Sequence, residues 1–342
     1  MFPLLWYFPL KMHREGIEYT FNKYKNTTIY LCLGAVLFLL ALFECCPATT
    51  IASQAPYPSI PTLRPHEKLT YKKQTVILLS SVPLVGDIYT PSDSSKGCIL
   101  FYLGLGDSKD YIDKDYVEAA IEANLTVVVS DLRGHGQSGG YLAVDKSVKD
   151  IVSTLKDLED HFDNIVLAGY SYGGYLSFLA ATTSDKEIRN KIDGLVLFST
   201  PHSLINYLKS VLQPYSFLLR LPRPLKCLLD KPIGLYVSHR YKFRIKGFYS
   251  TIKEMEESSD LLDYADSIEM PVLIIHGVED ELINYQDAVD IFKKLKASHK
   301  DAELYLIESS NGKPADHATF FSHKNEIIPI LKEWLERTEI IE

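Results

Sequence analysis

Eight short apolar or β-branched runs punctuate the chain: Thr75–Leu79, Leu84–Tyr89, Cys98–Leu103, Thr126–Ser130, Asn164–Ala168, Gly194–Phe198, Val272–His276 and Glu303–Ile307. Their length and residue types predict β-strands. Between the later runs, apolar residues recur at spacings of three and four. Val148, Ile151, Val152, Leu155 and Phe162 form one such set; Ala288, Phe292 and Leu295 form a second, and Ile327, Leu331 and Trp334 a third. That period places each set on one helical face. Strands alternating with helices predict parallel pairing with helices on both sides of the sheet. The first two runs are separated only by a short Ser-Val-Pro connection, which predicts an antiparallel hairpin at one edge. No internal repeat is visible. The pattern predicts one doubly wound, mostly parallel α/β domain of eight strands over residues 68–342.

Two stretches break this rhythm. The interval from Pro201 to Met270 is too long for a loop in a compact domain, and its apolar content predicts helices of its own. Residues 201–250 carry nine Lys and Arg against Asp230 alone, a net +8. The second stretch is Ile29–Phe43, fifteen residues without a charge. Extended to residues 29–46 it falls between a signal-peptide core and a full membrane span. Lys11, Arg14, Lys23 and Lys25 precede it, and no Lys or Arg follows until Arg64. By the positive-inside rule, residues 1–28 stay in the cytoplasm and the remainder is exported. A Pro/Ser/Thr-rich linker, 47–67, then leads to the domain. The expectation is a single-pass membrane protein; small residues between Ala48 and Ala55 keep open a secreted form made by signal cleavage. Met12 is an alternative to Met1 as the true start.

Composition narrows the class further. In 342 residues there are 36 Lys and Arg against 44 Asp and Glu, a net charge of −8, and 46% of residues are hydrophobic. These values exclude a disordered chain, a collagen-like repeat and a multi-span membrane protein. The net negative charge argues against nucleic acid as a partner. Five cysteines in so long a chain exclude a disulfide scaffold, and the lack of a C-x-x-C pair argues against a structural zinc site.

The candidate chemistry lies in three separated places. Gly169-Tyr170-Ser171-Tyr172-Gly173 follows the run Ile165–Ala168 directly and precedes a helical stretch from Tyr175 to Ala181. A strand–turn–helix of this kind presents a serine on a strained elbow, and Ser171 is the candidate nucleophile. A serine hydroxyl needs a base, and that base needs an acid to hold its tautomer. In this topology both follow the serine in the chain. Asp280, with Glu279 as its rival, follows the strand Val272–His276. His317, with His323 as its rival, precedes the last helix.

These residues carry a resemblance. The chain resembles the α/β-hydrolases, and within them the monoacylglycerol lipase-like branch that is also grouped with serine aminopeptidases. The residues concerned are Asp131-Leu132-Arg133-Gly134-His135-Gly136-Gln137-Ser138, Gly169–Gly173, His276-Gly277-Val278-Glu279-Asp280 and His317. The resemblance selects Asp280 over Glu279 and treats the loop at 131–138 as structural. It implies a helical cap inserted at about 201–268, in which Leu218, Leu219, Leu221, Leu228, Leu229 and Phe243 line an acyl-sized pocket. It also implies an oxyanion hole from the backbone N–H groups of Leu105 and Tyr172. Here the chain departs from the family, because Leu103 replaces the histidine that usually precedes Gly104; Gly104 or Gly106 could then serve instead. The implied activity is hydrolysis of carboxylic esters with a lipophilic acyl chain, of the monoacylglycerol or lysophospholipase kind, with no cofactor or metal. A serine peptidase, an acyltransferase and a catalytically silent binding module share the scaffold and stay open, as do substrate identity and oligomeric state. The basic charges of the insertion form a solvated face, pair with carboxylates of the body, or turn the cap toward an anionic membrane, and these alternatives stay open.

Overall fold

In the computed structural model, the residues described are 71–340 apart from 79, 93, 94, 96, 213–215 and 311. The apolar run at 29–46 and the linker therefore lie outside the described residues. Among those described, no helix is long and apolar enough to cross a membrane.

All eight expected strands form: β1 (Tyr71–Leu78), β2 (Leu84–Pro91), β3 (Gly97–Tyr102), β4 (Leu125–Ser130), β5 (Asn164–Tyr170), β6 (Ile192–Phe198), β7 (Val272–Gly277) and β8 (Ala302–Ile307). They build one sheet in the order β1-β2-β4-β3-β5-β6-β7-β8. β1 and β2 pair as the expected antiparallel hairpin, with Leu78 opposite Leu84. β2 joins β4 antiparallel, and every later pairing is parallel. The chain enters the parallel part at β3, steps to β4 on one side, then returns to β5 on the other. That reversal opens a crevice beyond the C-terminal ends of β3 and β5, where ligands bind in sheets of this type.

Helices cover both faces. In chain order they are α1 (Lys114–Glu122), α2 (Val144–Glu159), α3 (Tyr172–Ala181), α4 (Lys186–Arg189), α5 (Leu204–Leu212), α6 (Ser216–Leu219), α7 (Arg223–Tyr241), α8 (Phe248–Glu256), α9 (Tyr285–Ala297) and α10 (Lys324–Arg337). Asp113 and Asn284 cap α1 and α9 by accepting N–H groups of the first turn, which satisfies donors that have no partner inside the helix. β3 to β7 are buried almost throughout because helices screen both faces. The core between sheet and α10 is aromatic, with Phe101, Phe198, Phe320, Phe321 and Trp334 among its members.

One predicted face is rotated. α2 buries Ser147, Asp150, Ile151, Thr154, Leu155 and Leu158, whereas Val148 and Val152 are only half-buried and Phe162 lies beyond its end. The cause is a polar pair: Asp150 receives both Nε and Nη2 of Arg133, at 2.6 and 2.8 Å. A charge-assisted bidentate contact outranks the apolar count in setting which side of the helix turns inward.

The insertion is helical, as expected. The chain leaves β6 at Phe198, forms α5 to α8, and returns at Val272. It is fastened to the body by its own strand-like turn. Phe243 bridges and stacks on His135, with ring centroids 5.7 Å apart. Arg244 donates its backbone N–H to Gly134 and accepts that of Leu142, at 2.7 and 2.8 Å. Its guanidinium reaches the carbonyls of Gly136, Ser138 and Gly140. The glycine-rich loop after β4 is thus the cradle that holds the cap.

Candidate active site

Ser171 sits where β5 ends and α3 begins, with φ +55° and ψ −121°. A non-glycine residue at such a φ is strained and is retained only where its surroundings enforce it. They do so here. Ser171 N–H donates to Phe198 O at 2.8 Å, and Gly173 lets α3 press against β3. A Cβ at Gly173 would lie 2.3 Å from Tyr102 O, so no larger residue fits.

Two loops deliver the partners. Asp280 follows β7 and His317 follows β8, and parallel pairing of β7 with β8 brings both loops to the same sheet edge as the elbow. Gly277 is the contact point, since a Cβ there would lie 2.1 Å from Ala315 O. His317 Nε2 is 3.0 Å from Ser171 Oγ, and His317 Nδ1 is 2.7 Å from Asp280 Oδ2. With Nδ1–H donated to the carboxylate, the Nε2 lone pair faces the hydroxyl.

Asp280 is buried, which by itself raises a carboxyl pKa. The positive potential of His317, the contact from His276 Nε2 and the hydrogen bond from His317 outweigh that burial and hold the carboxyl well below its usual range. Leu282 and Ile283 N–H groups occupy its other oxygen at 3.0 and 2.8 Å. The group therefore stays ionised and oriented.

The rivals are engaged elsewhere. Glu279 accepts from Ser309 and from Ala315 N–H. His323 is buried, with Nδ1 3.2 Å from Ser310 Oγ and Nε2 3.0 Å from Pro314 O. Both shape the loop that carries His317.

Two residues of the site escaped the sequence reading. Tyr170 stacks on the His317 ring, centroids 4.9 Å apart, and donates its hydroxyl to His317 O. The second is Asp107, in the turn after β3. An ideal Cβ on Gly104 would lie 3.3 Å from Ser171 Cβ and 3.0 Å from Asp107 Oδ2, which brings that carboxyl to the edge of the elbow. Burial pushes its pKa up to about 6, against His317, the Gly104 N–H and Lys242, which pull it down. Because the folded state favours the neutral acid, its ionisation costs stability as pH rises from about 4 to about 6. Asp107→Asn should therefore raise the melting temperature at pH 8 and leave it unchanged at pH 4, measured by calorimetry; an equal effect at both pH values would place the carboxyl in water.

Leu105 lies in the turn closed by Asp107 N–H donating to Gly104 O, and Tyr172 is the first residue of α3. The segment that follows the turn is tied to the body. Lys109 N–H donates to Asp131 at 2.6 Å, and its buried ammonium lies 3.2 Å from the buried carboxylate of Asp87.

In the cap, Leu218 and Leu229 are buried, Leu228 is 52% exposed, and Phe243 stacks on His135. Arg244, one of the nine basic residues counted in 201–250, is bound to the loop after β4.

Comparison with known proteins agrees with this architecture. The family model described as serine aminopeptidase, S33, matches residues 93–229. The mitochondrial palmitoyl-protein thioesterase ABHD10 of Bos taurus is 25% identical over 197 residues, which are 55% of this chain and 57% of that protein. The chain thus spans little more than half the length of that relative. An esterase from Pyrococcus furiosus superposes with a TM-score of 0.56 at 22% identity, covering 79% of this chain and 91% of its own. Est1E from Butyrivibrio proteoclasticus, solved with ferulic acid, gives 0.56 at 19%, covering 79% and 98%. Acylaminoacyl peptidase from Pyrococcus horikoshii gives 0.56 at 18%, covering 79% of this chain but 42% of its own. Neighbours this distant in sequence share the fold rather than the side chains, and the fold they share with this chain is the α/β-hydrolase fold.

Proposed function

We propose that this protein hydrolyses carboxylic esters through an acyl-serine intermediate. One observation carries the reading: on a positive-φ elbow, Ser171 Oγ lies 3.0 Å from a histidine nitrogen whose partner nitrogen is 2.7 Å from a buried carboxylate. In the first half-reaction, Oγ attacks the ester carbonyl while His317 Nε2 takes the hydroxyl proton. Asp280 orients the ring and stabilises the imidazolium. The backbone N–H groups of Leu105 and Tyr172 receive the oxyanion, aided by the N-terminal end of α3. Collapse breaks the C–O bond, and Nε2 returns the proton to the leaving alcohol. Water, deprotonated by the same nitrogen, then attacks the acyl-enzyme and frees the acid and Ser171.

A lipophilic acyl group suits a domain that carries a helical cap beside this site and follows an apolar run at 29–46. On the same reading that run holds the chain in a membrane, with residues 1–28 on the cytoplasmic side and the hydrolase domain exported. The discriminating experiment is a rate comparison on p-nitrophenyl esters, monoacylglycerols and aminoacyl amides, using the full chain in detergent. Esters should turn over fastest, with preference rising with acyl length. Turnover of aminoacyl amides without ester hydrolysis would replace this proposal with a peptidase.

A further inference from the structure

Among the described residues, the longest helix of the cap, α7, is packed on one side only. Leu229, Ile233 and Val237, spaced four apart, are buried, and Gly234 meets Gly247 and Phe248 closely enough that a Cβ there would lie 3.1 Å from Gly247 Cα. The opposite side is also apolar. Leu225, Leu228 and Leu235, at spacings of three and seven, share one stripe and are 40%, 52% and 73% exposed. Leu235 is the most exposed large hydrophobic residue among those described, and Phe217, just ahead of the helix, adds to the set. An outward apolar stripe of this kind marks a surface that something covers.

Charge identifies the occupant. Lys231 lies on the stripe between Leu228 and Leu235, and Arg220, Arg223 and Arg240 are exposed near its ends. Between residues 217 and 246 the single acid is Asp230. Its carboxylate is turned inward, accepting Tyr249 N–H at 2.7 Å and blocking any side chain at Gly247. The outer face is thus apolar and cationic. A second copy of the chain would set like charge against like charge, and the N-terminal segment carries its own Lys11, Arg14, Lys23 and Lys25. A bilayer rich in anionic lipid matches both properties, accepting leucines into its interface and attracting the cations. Residues 47–70, between the apolar run and β1, reach at most about 80 Å when fully extended, so a membrane that holds residues 29–46 is always within range.

We infer that the outer face of α7 is a membrane-docking surface that seats Leu225, Leu228 and Leu235 in an anionic lipid interface. This rests on the reading that residues 29–46 anchor the chain. Its consequence is a domain held with its cap against the bilayer rather than swinging on the linker.

Cys227 provides the probe. In the full chain with Cys32, Cys45 and Cys46 changed to alanine, an environment-sensitive fluorophore should label Cys227 alone. Cys98 is buried and its thiol is pushed far above the usual range by that burial. The labelled protein is incorporated into phosphatidylcholine vesicles with or without phosphatidylglycerol, and incorporation is checked by flotation. Docking predicts a blue shift and several-fold quenching by a nitroxide lipid in the anionic vesicles. The signal should weaken with salt and be lost in Leu225→Ser/Leu228→Ser/Leu235→Ser, while hydrolysis of a short soluble ester by that variant is unchanged. Protein that floats with anionic vesicles but keeps its label in water overturns the docking and leaves the anchor standing. Protein that floats with neither vesicle overturns both. A blue shift already present in detergent and dependent on protein concentration assigns the face to a second copy and also overturns it.

Discussion

Ser171→Ala should lose at least about 10³-fold in kcat on every ester the parent accepts, without loss of fold. Only one hydroxyl is removed. The elbow is held by contacts that do not involve it, including Ser171 N–H on Phe198 O and the approach of Gly173 to Tyr102. The strained φ is imposed on alanine as it is on serine, so the melting temperature should change little. A fluorophosphonate should label the parent and not the variant. Persistent labelling at near-parental rate would mean that another residue is the nucleophile and would end the acyl-serine proposal.

His317 and His323 separate catalysis from scaffolding. His317→Gln should be nearly as inactive as Ser171→Ala, because an amide cannot take up and return the proton while still filling most of the imidazole's space. The half-exposed ring is held by Tyr170 and Asp280, so its loss should cost little stability. His323→Ala should show the opposite profile. It removes a buried ring tied to Ser310 and Pro314, so the melting temperature falls while kcat in the surviving folded protein stays within a few-fold of the parent. Measured together, kcat and melting temperature assign each histidine one role. The exchanged pattern would move the base to His323.

The quantity of structure legible in the chain differs from place to place. The eight strands could be read because each is a short apolar run ended by turn residues, and that signal is local. The order Ser171, Asp280, His317 could be read because a parallel sheet sends successive loops to one edge, so chain order becomes spatial proximity. The choice of His317 over His323 depended on position before the last helix and on resemblance. In the structure the two rings are separated by what they touch, and that contact has no local signature.

Other features depend on partners distant in the chain. The buried face of α2 turned because Arg133 meets Asp150, a choice between an apolar count and a charged pair that only tertiary packing makes. Asp107 reads as one more loop acid. Its raised pKa exists because folding buries it beside Gly104 near the elbow. The nine basic residues of the cap were visible as composition, yet only the fold divides them, giving Arg244 to the carbonyls of the 134–142 loop and leaving Arg220, Arg223 and Lys231 on the outside. Likewise, the leucines of α7 are one uniform set in sequence. Packing against α8 buries Leu229 and leaves Leu228 and Leu235 exposed, because a helix has two sides and the described body of the protein reaches only one. Periodicity and motif order thus determined the elements and the candidate triad, since both are properties of neighbours along the chain. Which charges are spent, which apolar surfaces stay uncovered and which carboxyl is perturbed were decided by tertiary structure, because burial is a property of neighbours in space.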